Sequence, residues 1–297
     1  MATVQITTWE EFKTALTETI TENTTYEIMN DIDASGEILQ STISIPTSQF
    51  IRTYNGNSHA INGITSYANI TGAISHNAYS ASGVSGYDVI FNDIHFSNIQ
   101  LSDTNGGFFY CGSRAASSTY RSTQFNGCLF SGQTRYWQYN YDGSYYTYAY
   151  YNNCSFNMEV ISNGGVGHDD AHFNNCYIIV SYLRPITSRF APEFNNLTNC
   201  YIGGHITIGY NSSGSSYSIC RTLYNSVFNM DVDITITSGN VYIIGTYSSA
   251  YYGLLNIGKI TSAGATVPDV TNVYKLTDSQ MKSKTYIHEN TNFPLYG

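Results

Sequence analysis

Phe125-Asn126-Gly127-Cys128-Leu129-Phe130 decides the fold, because this six-residue pattern returns along the chain. Its positions are aromatic or aliphatic, Asn, small or Asn, Cys or Ile, any residue, and large apolar. Aligned on the fourth position, successive copies lie 30, 34, 26, 22, 24, 26 and 27 residues apart. Periods in this range are typical of stacked repeats. The copies begin at Ile61, Phe91, Phe125, Tyr151, Phe173, Leu197, Leu223 and, in degraded form, Ala250.

The fourth and sixth positions of the pattern predict two inward-facing ladders of a β-solenoid. They lie two residues apart, so both point to the same side of a strand, and both are apolar or small in nearly every copy. The shortest spacing, 22 residues, is enough for three short strands and three corners. The fourth-position ladder is Ile64, Ile94, Cys128, Cys154, Cys176, Cys200, Ser226 and Gly253, and the sixth-position ladder is Ser66, Phe96, Phe130, Phe156, Ile178, Ile202, Phe228 and Leu255.

The second-position Asn predicts a tight corner, because Asn tolerates the left-handed backbone conformation. Stacked corners then predict side-chain amides that bond from coil to coil. Four of the six cysteines lie on the fourth-position ladder. In-register strands hold their Cβ vectors parallel, which suits a disulfide poorly, so these four are predicted to be reduced structural thiols. Cys111 and Cys220 lie off the ladder and could be free.

Both ends of the chain carry capping-box patterns that predict short helices. Thr8-Trp9-Glu10-Glu11 opens an amphipathic stretch that is expected to cover the first coil, whose strand is expected at Tyr26-Glu27-Ile28-Met29. Thr277-Asp278-Ser279-Gln280 opens a second helix. Because terminal solenoid units need caps, we predict a helical cap over residues 1–22, a β-helix over 23–275 and a cap or tail over 276–297.

Composition argues against several classes of function. A net charge of −9 and a pI near 5.1 argue against nucleic acid or anionic lipid as a partner. The sequence contains no stretch of about 20 apolar residues, so membrane insertion is not predicted. The polar start, Ala2–Glu11, does not predict a signal peptide. No phosphate-binding Gly motif and no nucleophile elbow occurs in the sequence, so no cofactor is predicted.

The Trp-Glu-Glu-Phe cap, the Tyr-Glu-Ile strand, the Asn-rich corners and the inward Cys, Ile and Phe ladder resemble the pectin-lyase-like superfamily over about residues 1–275. This resemblance implies an all-β fold, a single-stranded right-handed parallel β-helix of about nine coils with helical caps at both ends. The family includes pectate lyases, polygalacturonases, surface adhesins and phage tailspikes. Residues 276–282 also resemble the segment that follows β-helical regions in some bacterial and phage surface proteins.

The chain departs from the catalytic signatures of this family. A polygalacturonase needs Asn-Thr-Asp, Asp-Asp, Gly-His-Gly and Arg-Ile-Lys on successive coils. Here Asp169-Asp170 follows His168, but the last two motifs are missing. The calcium-binding Asp cluster of a pectate lyase is not evident from spacing either. The resemblance therefore predicts the architecture of the chain but does not predict an enzymatic activity.

Asp169, Asp170 and Glu193 are the candidate catalytic residues. Asp169 lies seven residues before Cys176, and Glu193 lies seven before Cys200, so the two carboxylates are expected to stack on adjacent coils. A pair near 5 Å apart raises one pKa, an arrangement used in glycoside chemistry. Two alternatives stay open, a solvated corner loop and a metal bound with His168 and His172. No metal site is predicted.

A Tyr-rich run over residues 135–151 predicts a recognition surface for a glycan or a protein partner. Tyr, Gly, Ser and Asn are typical of adaptable recognition surfaces, and Tyr combines a flat apolar face with a polar tip. A subunit interface and plain decoration of exposed strands are the alternatives. The candidate binding residues are Tyr136, Trp137, Tyr139, Tyr141, Tyr145, Tyr146 and Tyr148.

Three functions are compatible with these features. The favoured one is a bacteriophage virion protein, a fibre, spike or decoration subunit that binds a bacterial surface polysaccharide or another virion protein. This prediction places the chain in the virion. The resemblance to the family also implies that the protein forms a homotrimer. The alternatives are a glycan-active lyase or hydrolase of tailspike type and a secreted bacterial surface adhesin.

Overall fold

The computed structural model of the chain is an all-β solenoid whose strands pair in parallel. Among the residues that it describes, the strands stack into about seven turns. The predicted fold class is therefore confirmed, and the predicted nine coils differ slightly from this count. The described residues are 1–70, 72–77, 86–102, 107–112, 121–134, 138–139, 149–160, 171–183, 194–209, 216–244, 252–255, 260–268, 273–275, 277–281 and 283.

Twenty-five strands and two helices make up the described part of the chain. The first helix, α1 (Trp9–Thr17), follows the first strand, and the second, α2 (Asp278–Met281), follows the last. The strands are β1 (Ala2–Ile6), β2 (Thr24–Ile28), β3 (Ile32–Asp33), β4 (Ile43–Ile45), β5 (Arg52–Asn55), β6 (Ala60–Asn62), β7 (Thr65–Ser66), β8 (Ile74–Asn77), β9 (Gly86–Asn92), β10 (His95–Leu101), β11 (Phe109–Gly112), β12 (Arg121–Asn126), β13 (Leu129–Thr134), β14 (Gln138–Tyr139), β15 (Ala149–Asn152), β16 (Ser155–Val160), β17 (Ala171–Asn174), β18 (Tyr177–Tyr182), β19 (Phe194–Thr198), β20 (Tyr201–Ile208), β21 (Ser216–Ile234), β22 (Asn240–Ile244), β23 (Tyr252–Leu255), β24 (Ile260–Ser262) and β25 (Val273–Lys275).

Each middle turn places one strand before the Asn corner and one after it, which gives the solenoid two long faces. The first face stacks β2, β5, β9, β12, β15, β17, β19 and the first half of β21. The second face stacks β10, β13, β16, β18, β20 and the second half of β21. A third face is formed by β4, β8, β11 and β14. Three strands per turn were predicted, and these N-terminal turns have them.

The sixth-position ladder is confirmed from Phe96 onward. Phe96 pairs with Phe130, which pairs with Phe156, and the register continues through Ile178, Ile202 and Phe228. All are buried, so this column is one wall of the core. The first position forms a second inward column, in which adjacent rings stack 4.8–5.0 Å apart. These rings are Tyr26, Tyr54, Phe91, Phe125, Tyr151 and Phe173.

The first predicted copy of the pattern was placed in the wrong strand. Ile61 pairs with Phe96 on the second face, whereas Tyr54 pairs with Phe91 and occupies the first position of this turn. The corner after Asn55 is longer here, with Asn57 and Ser58 both at positive φ. Ile64 and Ser66 therefore do not belong to the two predicted ladders, and Ser66 pairs with Leu101 instead.

The predicted Asn ladder is present along the corner. Each side-chain amide donates to the preceding one, at 2.8–3.0 Å, and Asn55 donates to Glu27 at 2.7 Å. The left-handed conformation belongs to the next position, where Asn153, Asn175 and Asn199 have φ of 52–54°. The corner therefore uses two positions, an Asn for its side-chain amide and then a residue that tolerates positive φ, which is Asp93 or Gly127 in two turns and Asn in the others. The amide ladder consists of Asn55, Asn92, Asn126, Asn152 and Asn174.

The ladder cysteines are buried free thiols, as predicted. Their Sγ atoms lie 3.2–3.6 Å from a carbonyl oxygen of the preceding turn, so each thiol has a polar partner. Burial raises the pKa of the Cys154 and Cys200 thiols. The off-ladder Cys220 is also free and buried. Because they are buried, these thiols are small hydrophobic contacts of the core.

The N-terminal helix begins with the predicted capping box between Thr8 and Glu11. Its C-terminal carbonyls are bound from the interior, because buried Arg52 donates to the Ala15 and Glu18 oxygens at 3.3 and 2.7 Å. One expectation was wrong: the sheet begins with β1, which pairs with the strand at Tyr26 predicted to come first. A capping box also opens α2, where Gln280 and Thr277 bond to each other.

Candidate functional site

The predicted acidic residues Asp169, Asp170 and Glu193 lie outside the described residues. The strands that follow them are described, and they preserve the offset on which the prediction was based. His172 in β17 pairs with Asn196 in β19, a separation of 24 residues that Cys176 and Cys200 repeat. The pairing of these carboxylates stays a prediction.

His172 is the described member of this acidic segment. Its ring stacks on Tyr150 of the preceding turn, with centroids 4.8 Å apart and planes 14° apart. Burial lowers the pKa of His172. A depressed pKa favours the neutral imidazole at neutral pH, which is the form that accepts a proton.

The Tyr-rich run lies almost wholly outside the described residues. Tyr136, Trp137, Tyr141, Tyr145, Tyr146 and Tyr148 belong to that part. The backbone of Tyr139 is described, and it pairs with Tyr110 on the third face. The last residues of the run, 149–151, belong to β15 on the first face, and the role of the run in recognition stays a prediction.

The second face carries an exposed aromatic pair that was not predicted. Tyr177 and Tyr201 stack with ring centroids 5.0 Å apart and planes 13° apart, and Tyr177 is 37% exposed. The Tyr201 hydroxyl accepts a hydrogen bond from Asn229 at 2.7 Å. A Cβ added to Gly203 would lie 3.0 Å from the Tyr201 ring, so this glycine makes room for the ring. The pair is thus held in place by its surroundings.

The aromatic pair belongs to an outer column that consists of the fifth positions of the pattern. Its members lie in register on successive strands, next to the sixth-position residues that point into the core. Sequence analysis treated this position as free to vary. The outer column is His95, Leu129, Ser155, Tyr177 and Tyr201, and it ends at Val227, which is buried.

A polar row crosses the outer column on β16. Ser155, Asn157 and Glu159 alternate with inward Phe156, Met158 and Val160, and the Asn and Glu side chains are exposed. β13, β16, β18 and β20 contain no Lys or Arg. These four strands therefore offer aromatic, amide, hydroxyl and carboxylate groups without a Lys or Arg, and His205 of β20 contacts Asp233 at 2.9 Å.

A second polar cluster lies inside the solenoid. His76 contacts Thr123 at 2.8 Å through Nδ1 and Asp88 at 3.1 Å through Nε2. All three side chains are buried, and Asp88 is the extra residue of a β-bulge between β9 and β12. The cluster ties the third face to the first, and its burial keeps substrates away. Among the described residues, no group of three or more His, Cys, Asp or Glu could hold a metal ion.

Comparison with known proteins agrees with the architecture. Residues 3–137 match the family model of the pectate lyase-like adhesive domain. Together with the parallel solenoid, this match fits a pectin-lyase-like β-helix. No curated protein and no solved structure matches the chain. In the part of the chain that is described, no helix is long and apolar enough to span a membrane.

Proposed function

We propose that this chain is an adhesive protein that binds a bacterial surface polysaccharide through its second face. The observation that carries the proposal is the exposed Tyr177–Tyr201 pair beside the polar row of β16. Pyranose rings have apolar C–H faces and many hydroxyls, so aromatic rings next to amide, hydroxyl and carboxylate groups match their chemistry. The match of residues 3–137 to an adhesive domain supports the same role.

We propose that the chain is a fibre, spike or decoration subunit of a bacteriophage virion. The resemblance of residues 276–282 to segments that follow β-helices in phage and bacterial surface proteins supports this assignment. The acidic charge of −9 disfavours nucleic acid as a partner. A homotrimer and a contact with other virion proteins belong to the same proposal, and a bacterial surface adhesin is its alternative.

One observation favours a second function, cleavage of the bound polysaccharide. His172 lies two residues after Asp170 in sequence, and burial lowers its pKa, which favours the neutral imidazole that accepts a proton. Such an enzyme would shorten the glycan, whereas an adhesin would retain it intact.

The test is to run the purified chain through gels that contain capsular and surface polysaccharides from a bacterial panel, and to measure polysaccharide length after incubation. Retention at unchanged length is expected. Shortening that Asp169→Asn abolishes would establish the enzyme. Absence of both retention and shortening would overturn the glycan-binding proposal.

The virion assignment is tested separately, with antibodies against the chain and particles purified from lysates of the source bacterium. Labelled phage particles are the expected result. Labelling confined to the cell envelope would overturn the assignment and establish the surface adhesin.

A further inference from the structure

We infer that the recess above β16, between Leu129 and Tyr177 of the outer column, is a subsite for a single neutral pyranose ring. The inference rests on the proposed glycan binding and deepens it, because it names the residues in contact and the class of sugar. It is carried by the order of side-chain sizes in the outer column, the orientation of the Tyr177 ring and the charge of the face.

The recess follows from the order of residues in the outer column. Leu129, Ser155 and Tyr177 lie in register on consecutive strands. Leu129 and Tyr177 are 40% and 37% exposed, and the short Ser155 lies between them. Neighbouring strands are about 4.8 Å apart, so the two large residues begin roughly 9–10 Å apart. The thickness of one sugar ring fits this interval.

The Tyr177 ring is oriented to form one wall of the recess. Because it stacks nearly parallel on Tyr201, at 5.0 Å and 13°, its opposite face is directed towards the β16 strand. Tyr201 is in turn positioned by its hydrogen bond from Asn229 and by the space above Gly203. A preorganised ring loses little conformational freedom on binding, which favours affinity.

β16 supplies polar groups at regular intervals, with Ser155 in the floor of the recess and Asn157 and Glu159 further along the strand. Ser155, Asn157 and Glu159 point outward from one strand, so their Cα atoms are about 6–7 Å apart. They provide a hydroxyl, an amide and a carboxylate, which can both donate to and accept from sugar hydroxyls. Burial, and to a lesser extent Tyr201, raises the pKa of Tyr177, so its hydroxyl keeps its proton at neutral pH.

Charge selects the class of sugar. The charged residue of β16 is Glu159, about 13 Å along the strand from Ser155. β13, β16, β18 and β20 contain no Lys or Arg to pair with an acidic ligand. A uronate would bring a carboxylate to a face whose four strands supply no Lys or Arg to offset its charge, and it would add to the negative charge of Glu159. A neutral pyranose avoids this cost. Polygalacturonate is therefore expected to bind more weakly than neutral polysaccharides, despite the family name.

The experiment measures retention of the full chain in gels containing dextran, mannan, galactan or polygalacturonate. Tyr177→Ala removes the wall of the recess, and Ser155→Tyr fills it by continuing the outer column. Each is expected to weaken binding of the retained neutral polysaccharide roughly tenfold or more. Tyr224→Ala is the matched control, because Tyr224 is 44% exposed but lies before the corner, outside the outer column. Glu159→Gln is expected to strengthen binding of polygalacturonate.

The outcomes separate this inference from the function on which it rests. Retention of a neutral polysaccharide that Tyr177→Ala and Ser155→Tyr weaken, and Tyr224→Ala does not, supports the recess. Retention that neither variant changes overturns the recess and leaves glycan binding intact, as does preferential retention of polygalacturonate. No retention of any polysaccharide overturns both. Circular dichroism of each variant shows that a loss of binding is not a loss of fold.

Discussion

The inner and outer sides of the same strands differ in how far they repeat. On β16 and β18, inward Phe156 and Ile178 are fully buried members of a ladder that continues through most of the solenoid. The adjacent outward residues, Ser155 and Tyr177, share a register but no chemistry. A solenoid is stabilised by contacts between neighbouring turns, so the inner side must repeat. The outer side is free to vary, and this freedom is what a binding site needs.

The largest expected effect comes from breaking the inner ladder. Phe156→Ala removes a buried ring that stacks on Phe130 at 4.8 Å, and truncation of a buried Phe costs about 3–5 kcal/mol. We expect a large drop in the urea midpoint. Ser155→Ala, one residue away on the outer side, is the control and should change stability by less than about 0.5 kcal/mol. Equal losses of unfolding free energy in the two variants would contradict the proposal that the inner side of the strand, and not the outer side, stabilises the solenoid.

The Asn ladder comes next. Asn126 donates to Asn92 at 2.8 Å and accepts from Asn152 at 3.0 Å, so Asn126→Ala removes two hydrogen bonds. At roughly 1 kcal/mol for each bond, plus the cost of partly buried partners, we expect a loss of about 1–3 kcal/mol in urea unfolding. Asn157→Ala, at an exposed outer position, should have little effect. The ladder would lose its structural role if both variants unfolded at the same urea concentration.

A smaller effect, dependent on pH, is expected at His172. Burial lowers its pKa in the folded chain, whereas the unfolded value is about 6.5. The unfolded chain therefore binds more protons as the pH falls below about 6.5, and stability decreases there. His172→Phe keeps a ring against Tyr150 but cannot take up the proton. Its melting temperature should fall less between pH 7.5 and 5 than that of the parent, and an equal or larger fall would refute the assignment.

Sequence analysis predicted the inner side well, for the same reason that this side repeats. Core contacts require similar residues at a fixed spacing, so Cys128, Cys154 and the Asn corners are visible in one sequence. The prediction failed at the first copy, where Ile61-Asn62-Gly63-Ile64 imitates the pattern within a different strand. Spacing alone could not show that the corner after Asn55 is longer.

The candidate site was not predictable in the same way. The outer column falls on the position that the pattern leaves undefined, and Tyr177 is adjacent to Ser155 only because their strands pair. Aligning the fifth positions of the copies would have shown Tyr177 and Tyr201 as neighbours, which is the signal that could have found the pair. Composition favoured the Tyr-rich run instead, because residue frequency is read directly from the sequence, whereas adjacency across strands requires the copies to be aligned.

The smallest expected effect on stability is at the proposed site itself. Tyr177→Ala removes a 37% exposed ring and its stacking on Tyr201, so the loss in unfolding free energy should stay below about 1 kcal/mol. Ile178→Ala, the next residue, removes a fully buried side chain and should cost about 2–5 kcal/mol. Urea unfolding of the two variants, measured together with glycan retention, compares the contributions of the outward and the inward residue of one strand to stability and to binding. If Tyr177→Ala destabilised as much as Ile178→Ala, its ring would serve the fold, and a loss of binding in this variant would not identify a contact with sugar.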